Sequence, residues 1–360
     1  MNAEIFGAKA RILRRPSGRH AAVALSAAAA GLLLWTPVRA SRTVQEHRAA
    51  DPQGTVEIVN TAGSVEVDGW DRSEIDVGGS AGDGVDRVDV TTSGSHTSIQ
   101  VIMRSPHGWS LDGDARLVVH VPAHSMVSAS LVSAGLKVGG LSGDLKVQSI
   151  SGDVKGSANS GSVEVTTVSG HIHLETPSAK SMELSTTSGD VLIKGGGGEV
   201  DASTVSGTAK LELGEVSRGR FKSVSGDISV ELSLKAGGQI ESESVSGDAT
   251  FKFAAVPDAQ FDARTLSGTI ENCFGPKPTQ PKYGPGSHLQ FSSGEGHGRV
   301  RMVSQSGDVK FCAPGAHRDE SAHAERESGA AHGSGIPGGA RAMPAAARNC
   351  RYAMVVPYVF

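Results

Sequence analysis

The sequence predicts an all-β protein: a parallel β-solenoid of about 19-residue coils with an irregular N-terminal β-cap and a disordered C-terminal tail. Three observations carry this. A Ser-Gly corner returns at regular intervals. Apolar and polar residues alternate after it. Glycine is abundant (47 of 360 residues) while aromatics make up only 4%.

The corner glycines are Gly143, Gly152, Gly161, Gly170, Gly189, Gly207, Gly226, Gly247, Gly268 and Gly307. Early steps are 9 residues, middle ones 18 to 21, and the last is 39. Nine is half of about nineteen, so one period covers the series, with the marker sometimes present at both corners of a unit. Positions two and four after each glycine are mostly apolar, as in Leu145/Val147, Val163/Val165, Val191/Ile193 and Val309/Phe311. The residue between is polar, which is the period-two signature of a strand with one buried face. A second short apolar stretch precedes several corners, as in Met182/Leu184 and Phe261/Ala263. Such a unit cannot bury its face alone, and stacking equivalent units about 4.8 Å apart solves this. Glycine supplies special backbone angles at the corners, and Ser or Asp bonds a nearby N–H.

Residues 1–40 have the layout of an export signal. Arg11, Arg14, Arg15 and Arg19 precede the apolar run 21–35, and Val38-Arg39-Ala40 offers a cleavage site. An uncleaved anchor helix is the alternative, but the run is short and alanine-rich. Residues 41–53 read as a linker. The β-solenoid domain spans 54–313: a β-cap and first coils over 54–131, then regular coils over 132–313. A proline-rich loop over 274–290 interrupts those coils and exposes Tyr283 as a possible contact residue. Residues 314–360 form the polar, Gly/Ala-rich tail. Its last residues, YAMVVPYVF, serve at most as a contact segment.

Cys273 and Cys312 each lie five residues after a corner glycine, Gly268 and Gly307. If 268–307 is one enlarged coil, the two share a phase on adjacent rungs and can form a disulfide, as export would allow. Two unpaired thiols are the alternative.

The VSGD-type corners, GTVEIVNTAGSVEVDGW (54–70), LVVHVPAHSMVSAS (117–130) and the closing SGTIENCFG…SSGEGHGRVRMVSQSGDVKF together resemble a putative-adhesin β-strand-repeat family, the bacterial domain of unknown function 4097. The resemblance covers residues 52 to 313. It implies an exported or envelope-associated β-solenoid and supplies no catalytic residues.

A net charge of −4 gives no reason to expect nucleic-acid binding. The corner aspartates Asp144, Asp153, Asp190, Asp227, Asp248 and Asp308 directly follow a single Gly, whereas calcium repeats require G-G-x-G-x-D; they read as corner caps. The glycine runs 195–198 and 293–298 lack the spacing of a phosphate cradle and read as loops. Ser and Thr before the corners read as strand residues rather than a ligand-binding hydroxyl row. No cofactor, metal or catalytic residue is assigned. The sequence thus points to a non-catalytic, adhesin-like binding or scaffolding protein, in the periplasm or at the surface of a bacterium. Its partner is an unknown envelope protein or polysaccharide, and no integral span remains after signal cleavage. A periplasmic envelope-maintenance or stress-response factor contacting another protein is the alternative. A polysaccharide-processing β-helix enzyme ranks third, since few aromatics are available to line a sugar groove.

Overall fold

The computed structural model describes residues 42–104, 114–282 and 284–314. Residues 1–41, which include the segment read as an export leader, Tyr283, Cys350 and the residues beyond Pro314 lie outside the described residues. All regular structure among the described residues is β-strand, joined in one 22-stranded hydrogen-bonded system.

Two parallel ladders run through the chain. In the first, the register passes Val127, Leu145, Val163, Met182, Val200, Gly219 and Ile240. In the second it passes Leu136, Val154, Ile172, Val191, Ala209, Ile228 and Ala249. The chain crosses from one ladder to the other at each Ser-Gly corner and returns at an opposite corner. Gly152, Gly170, Gly189, Gly207, Gly226, Gly247, Gly268 and Gly307 occupy the first corner, and Gly143 and Gly161 the opposite one. This explains the 9-residue steps. Inward residues alternate with outward ones, as in Leu145–Ser149, where Leu145 and Val147 are buried and Lys146 and Gln148 are not.

Both ladders continue back into the segment 54–131 read as β-cap and first coils. Thr55–Trp70 pairs through both ladders with Met126–Leu141. On its other side it meets His96–Met103 and Ala115–Pro122, also in parallel. Antiparallel strands close this end: Val85–Ser93 on His96–Met103, Glu74–Ala81 on Ala115–Pro122, and Arg42–Ala49 outermost. The last of these lies in the segment read as a linker. Its polar sequence, RTVQEHRA, shows no clean alternation because an edge strand packs little and is protected by its charges.

The C-terminal end departs from chain order. Val300 pairs with both Ile240 and Phe261, and Val309 with both Ala249 and Ile270. The last strands, Gly298–Ser304 and Val309–Cys312, are therefore inserted between the rung ending in Ala249–Phe253 and the rung made by Ala259–Thr265 and Ile270–Asn272. Strand Ser287–Ser293 then caps Ala259–Thr265 in antiparallel fashion, so part of the segment read as the 274–290 loop is strand. Residues 268–307 are thus an excursion that returns into an open slot, rather than an enlarged coil continuing the stack.

The corner glycines owe their identity chiefly to rung spacing. Of the ten markers only Gly189 and Gly207 have positive φ, at 141° and 110°. A Cβ at Gly247 would lie 2.2 Å from the Gly226 carbonyl oxygen, and one at Gly307 would lie 1.9 Å from that of Gly247. Gly268 stands in the same relation to Gly307, at 2.1 Å. Backbone meets backbone here, so nothing flexible can give way. Gly247→Ala should lower unfolding free energy by about 1–3 kcal/mol, the usual range for overpacking. Gly135→Ala, whose Cβ would find only the Asp153 carbonyl at 3.7 Å, should be neutral or slightly stabilising. Urea titrations of the two variants check the pair; equal losses would remove the steric explanation.

Candidate binding edge

Most first corners use four positions for four tasks, the Gly189, Gly207 and Gly307 corners departing at one or two of them. Three residues before the glycine, a buried hydroxyl caps the turn. Ser149 accepts the Gly152 N–H at 3.0 Å and donates to its carbonyl at 3.1 Å. Thr167, Ser223, Thr265 and Ser304 accept from Gly170, Gly226, Gly268 and Gly307 in the same way. These hydroxyls face inward, so the Ser/Thr row before the corners is structural.

The residue after the glycine ties rungs together. Asp153 Oδ1 accepts the His171 N–H at 3.1 Å, and Asp190 Oδ1 that of Thr208 at 2.9 Å. Asp227 accepts from Asp248, Asp248 from Asp308, and Asp308 from Thr269 at 2.7 Å. At the opposite corner Asp144 accepts from Ser162. The expected local cap is instead a bond between rungs, and it follows the inserted order of the last strands. The Lys155 ammonium, then the His171 N–H, hold the Asp153 carboxyl below the usual carboxylate range. Its stabilising contribution is therefore present above that range and is lost as pH falls through the folded value.

Two residues before the glycine, the corner turns an aliphatic side chain outward. Val132, Ile150, Val168, Val205, Val224, Val245 and Leu266 are exposed by 41 to 60%, with Thr187 and Gln305 completing nine successive rungs; beyond Val132 it is Ala134 that stands in the glycine's place. Among the described residues, seven of the ten large exposed apolar ones thus fall on one edge. The stripe is about 38 Å long at ~4.8 Å per rung. Beside it runs a column of serines, Ser133, Ser151, Ser169, Ser188, Ser206, Ser225, Ser246, Ser306 and Ser267, all exposed except Ser206, which is half-buried. Along the stripe's other bank lies a groove of about 470 Å³ whose lining includes Val205, Val224, Val245 and Val303. Sequence reasoning missed this edge because aliphatic residues beside strands read as core. The available signal was the fixed order aliphatic-Ser-Gly, which puts the aliphatic residue out of phase with the inward positions.

Cys273 and Cys312 form a disulfide with a Cα–Cα distance of 4.9 Å, and Lys310 pairs with Glu271 at 2.8 Å beside it. Glu271 and the two sulfurs are the one cluster of metal-ligating type among the described residues, and both sulfurs are consumed by the disulfide. In the turn 294–297, His297 Nδ1 lies 2.6 Å from Asp258 Oδ2, and Asp258 also accepts the Gly296 N–H. The His297 ring is the main cause holding Asp258 below the ordinary range. This pins the turn that feeds the inserted strands. No described helix is long and apolar enough to cross a membrane.

These features define an all-β repeat protein whose corners are tied rung to rung and whose edge presents one repeated set of side chains. The chain belongs to the Toastrack DUF4097 family, whose model matches residues 53–312. Solved structures similar to it include a putative adhesin from Bacteroides fragilis NCTC 9343, with 11% identity, 76% of this chain and 97% of that one covered, and a TM-score of 0.40. A putative adhesin from Parabacteroides merdae ATCC 43184 shares 10% identity over 75% and 96%, with a TM-score of 0.32. A putative lipid binding protein from Parabacteroides distasonis ATCC 8503 shares 12% over 74% and 96%, with a TM-score of 0.34. No curated protein matches.

Proposed function

We propose that this chain is a non-catalytic, exported cell-envelope protein acting as an adhesin-like binding or scaffolding solenoid with coils of about 19 residues. The observation that carries the reading is the in-register aliphatic edge. A contiguous exposed apolar strip of this kind marks an interaction surface in soluble domains. Similar aliphatic contacts recurring on seven of nine rungs accumulate affinity without any single deep pocket. The repeated carboxylates, the obvious candidates for acid-base work, are occupied as acceptors of backbone N–H groups between rungs. The basic-then-apolar leader of residues 1–40 and the Cys273–Cys312 disulfide both support an oxidising location, periplasm or cell surface.

Titrating the full mature protein onto envelopes isolated from its producing cells tests this. Saturable binding is expected, and the triple variant Val205→Lys/Val224→Lys/Val245→Lys should lose it. Absence of saturable binding would overturn the reading, as would turnover of an envelope polysaccharide that one carboxylate substitution abolishes.

A further inference from the structure

The stripe makes no use of backbone hydrogen bonding toward a partner. Ile150, Val168, Val224, Val245, Gln305 and Leu266 each donate their N–H to the preceding rung. The serine beside each does the same, as Ser151 to Val132 and Ser246 to Val224. Addition of an extended strand is therefore excluded at this edge, and recognition must come from side chains. Those on offer are one aliphatic group on each rung except at Thr187 and Gln305, with no aromatic platform of the kind that stacks on sugars.

The two banks of the stripe differ in charge. On the groove side Lys222 and Glu243 offset one another among hydroxyls. On the other side stand Asp227, Asp248 and Asp308 on three successive rungs, with Asp190 and Asp153 further along. Each spends Oδ1 on the next rung. The Oδ2 atoms of Asp227, Asp248 and Asp308 have no hydrogen-bond or ion-pair partner among the described residues, and they face solvent. An occupant must bring an apolar ridge and, along one flank, positive charge.

We infer that the edge formed by Val205, Val224, Val245 and Leu266, flanked by Asp227, Asp248 and Asp308, docks a basic amphipathic α-helix of a partner protein. A helix places apolar residues at i, i+3, i+4 and i+7 with 1.5 Å rise per residue, so its ridge advances in steps of about 4.5–6 Å. That spacing is commensurate with rungs about 4.8 Å apart. The whole stripe accommodates about 25 helical residues. Lys or Arg along the helix flank then meets the free aspartate oxygens, which supplies orientation as well as attraction.

The inference rests on the binding reading above, and its test separates the two. The full mature protein is titrated against a fluorescein-labelled 18-residue Leu/Lys amphipathic peptide. A Leu/Glu peptide of the same pattern and a Leu/Lys peptide scrambled to lose its apolar face serve as comparisons. The amphipathic basic peptide should bind saturably, with both comparisons at least about tenfold weaker. Ser225→Lys/Ser246→Lys adds charge without touching the aspartate ladder, and should weaken binding by about tenfold or more. The Val205→Lys/Val224→Lys/Val245→Lys variant should weaken it at least as far. Circular dichroism must show the same strand spectrum for each variant. Equal binding of the scrambled peptide, preference for the Leu/Glu peptide, or unchanged affinity in folded variants would overturn the helix assignment. Loss of envelope binding in the valine variant, with no peptide binding by the wild type, would overturn the helix while leaving the binding role intact. Absence of saturable binding by the wild type, to envelopes and to the peptide alike, would overturn both.

Discussion

Replacing Cys273 and Cys312 together by serine should lower the unfolding free energy by about 4 kcal/mol, the chain-entropy value for a closed loop of this length. The two residues are 39 apart in sequence. The loop they close contains the whole excursion: the cap strand Ser287–Ser293, the turn pinned by Asp258, and the inserted strands. Without the bond, the unfolded chain gains freedom and the last strands must find the slot by packing alone. Urea unfolding of the oxidised wild type and the double serine variant measures the difference. Hydrogen exchange should localise the loss to residues 259–312, leaving the rungs near Leu145 and Val163 protected. A change below about 1 kcal/mol would show that the slot is held by side-chain packing without help from the bond.

Phe261→Ala should cost about 3–5 kcal/mol, at the upper end for buried aromatics. Phe261 is 1% exposed and is the hub of the protein's aromatic cluster. Its ring lies 4.7 Å from Phe291, 5.5 Å from Phe274, 5.7 Å from Phe311 and 6.1 Å from Phe253. Those partners come from the cap strand, the loop, the inserted rung and the preceding rung. Deleting one ring therefore loosens the packing of four segments that meet around it, beyond what strand pairing and the Cys273–Cys312 bond hold. Thermal or urea unfolding of Phe261→Ala and Phe261→Leu tests this, with leucine expected to recover much of the loss. A cost below about 1.5 kcal/mol for alanine would mean that the cluster repacks, and that the insertion is stabilised elsewhere.

The legible part of the fold is the part written locally. Alternation in segments such as LKVQS and VEVTT identifies strands because burial on one face imposes a period of two within a few residues. The Ser-Gly corners identify turns, although the reason for glycine is mostly the carbonyl of the next rung rather than backbone angle. The Arg42–Ala49 strand was illegible because an outer edge needs no apolar alternation. The aliphatic edge was hidden for the opposite reason: Val224 and Val245 look like core residues until the corner geometry turns them outward.

By itself, then, the sequence determined the class of element and the inward residues, each a matter of neighbours within about twenty positions. Only the tertiary structure decided the order of the last rungs, the pairing of Val300 between Ile240 and Phe261, and the linkage of aspartates from rung to rung. Equivalent rungs carry equivalent local patterns, so nothing local distinguishes stacking in chain order from insertion into a slot. The choice is made by contacts 39 to 60 residues apart, among the aromatic cluster, the disulfide and the open strand edges that the last rung fills.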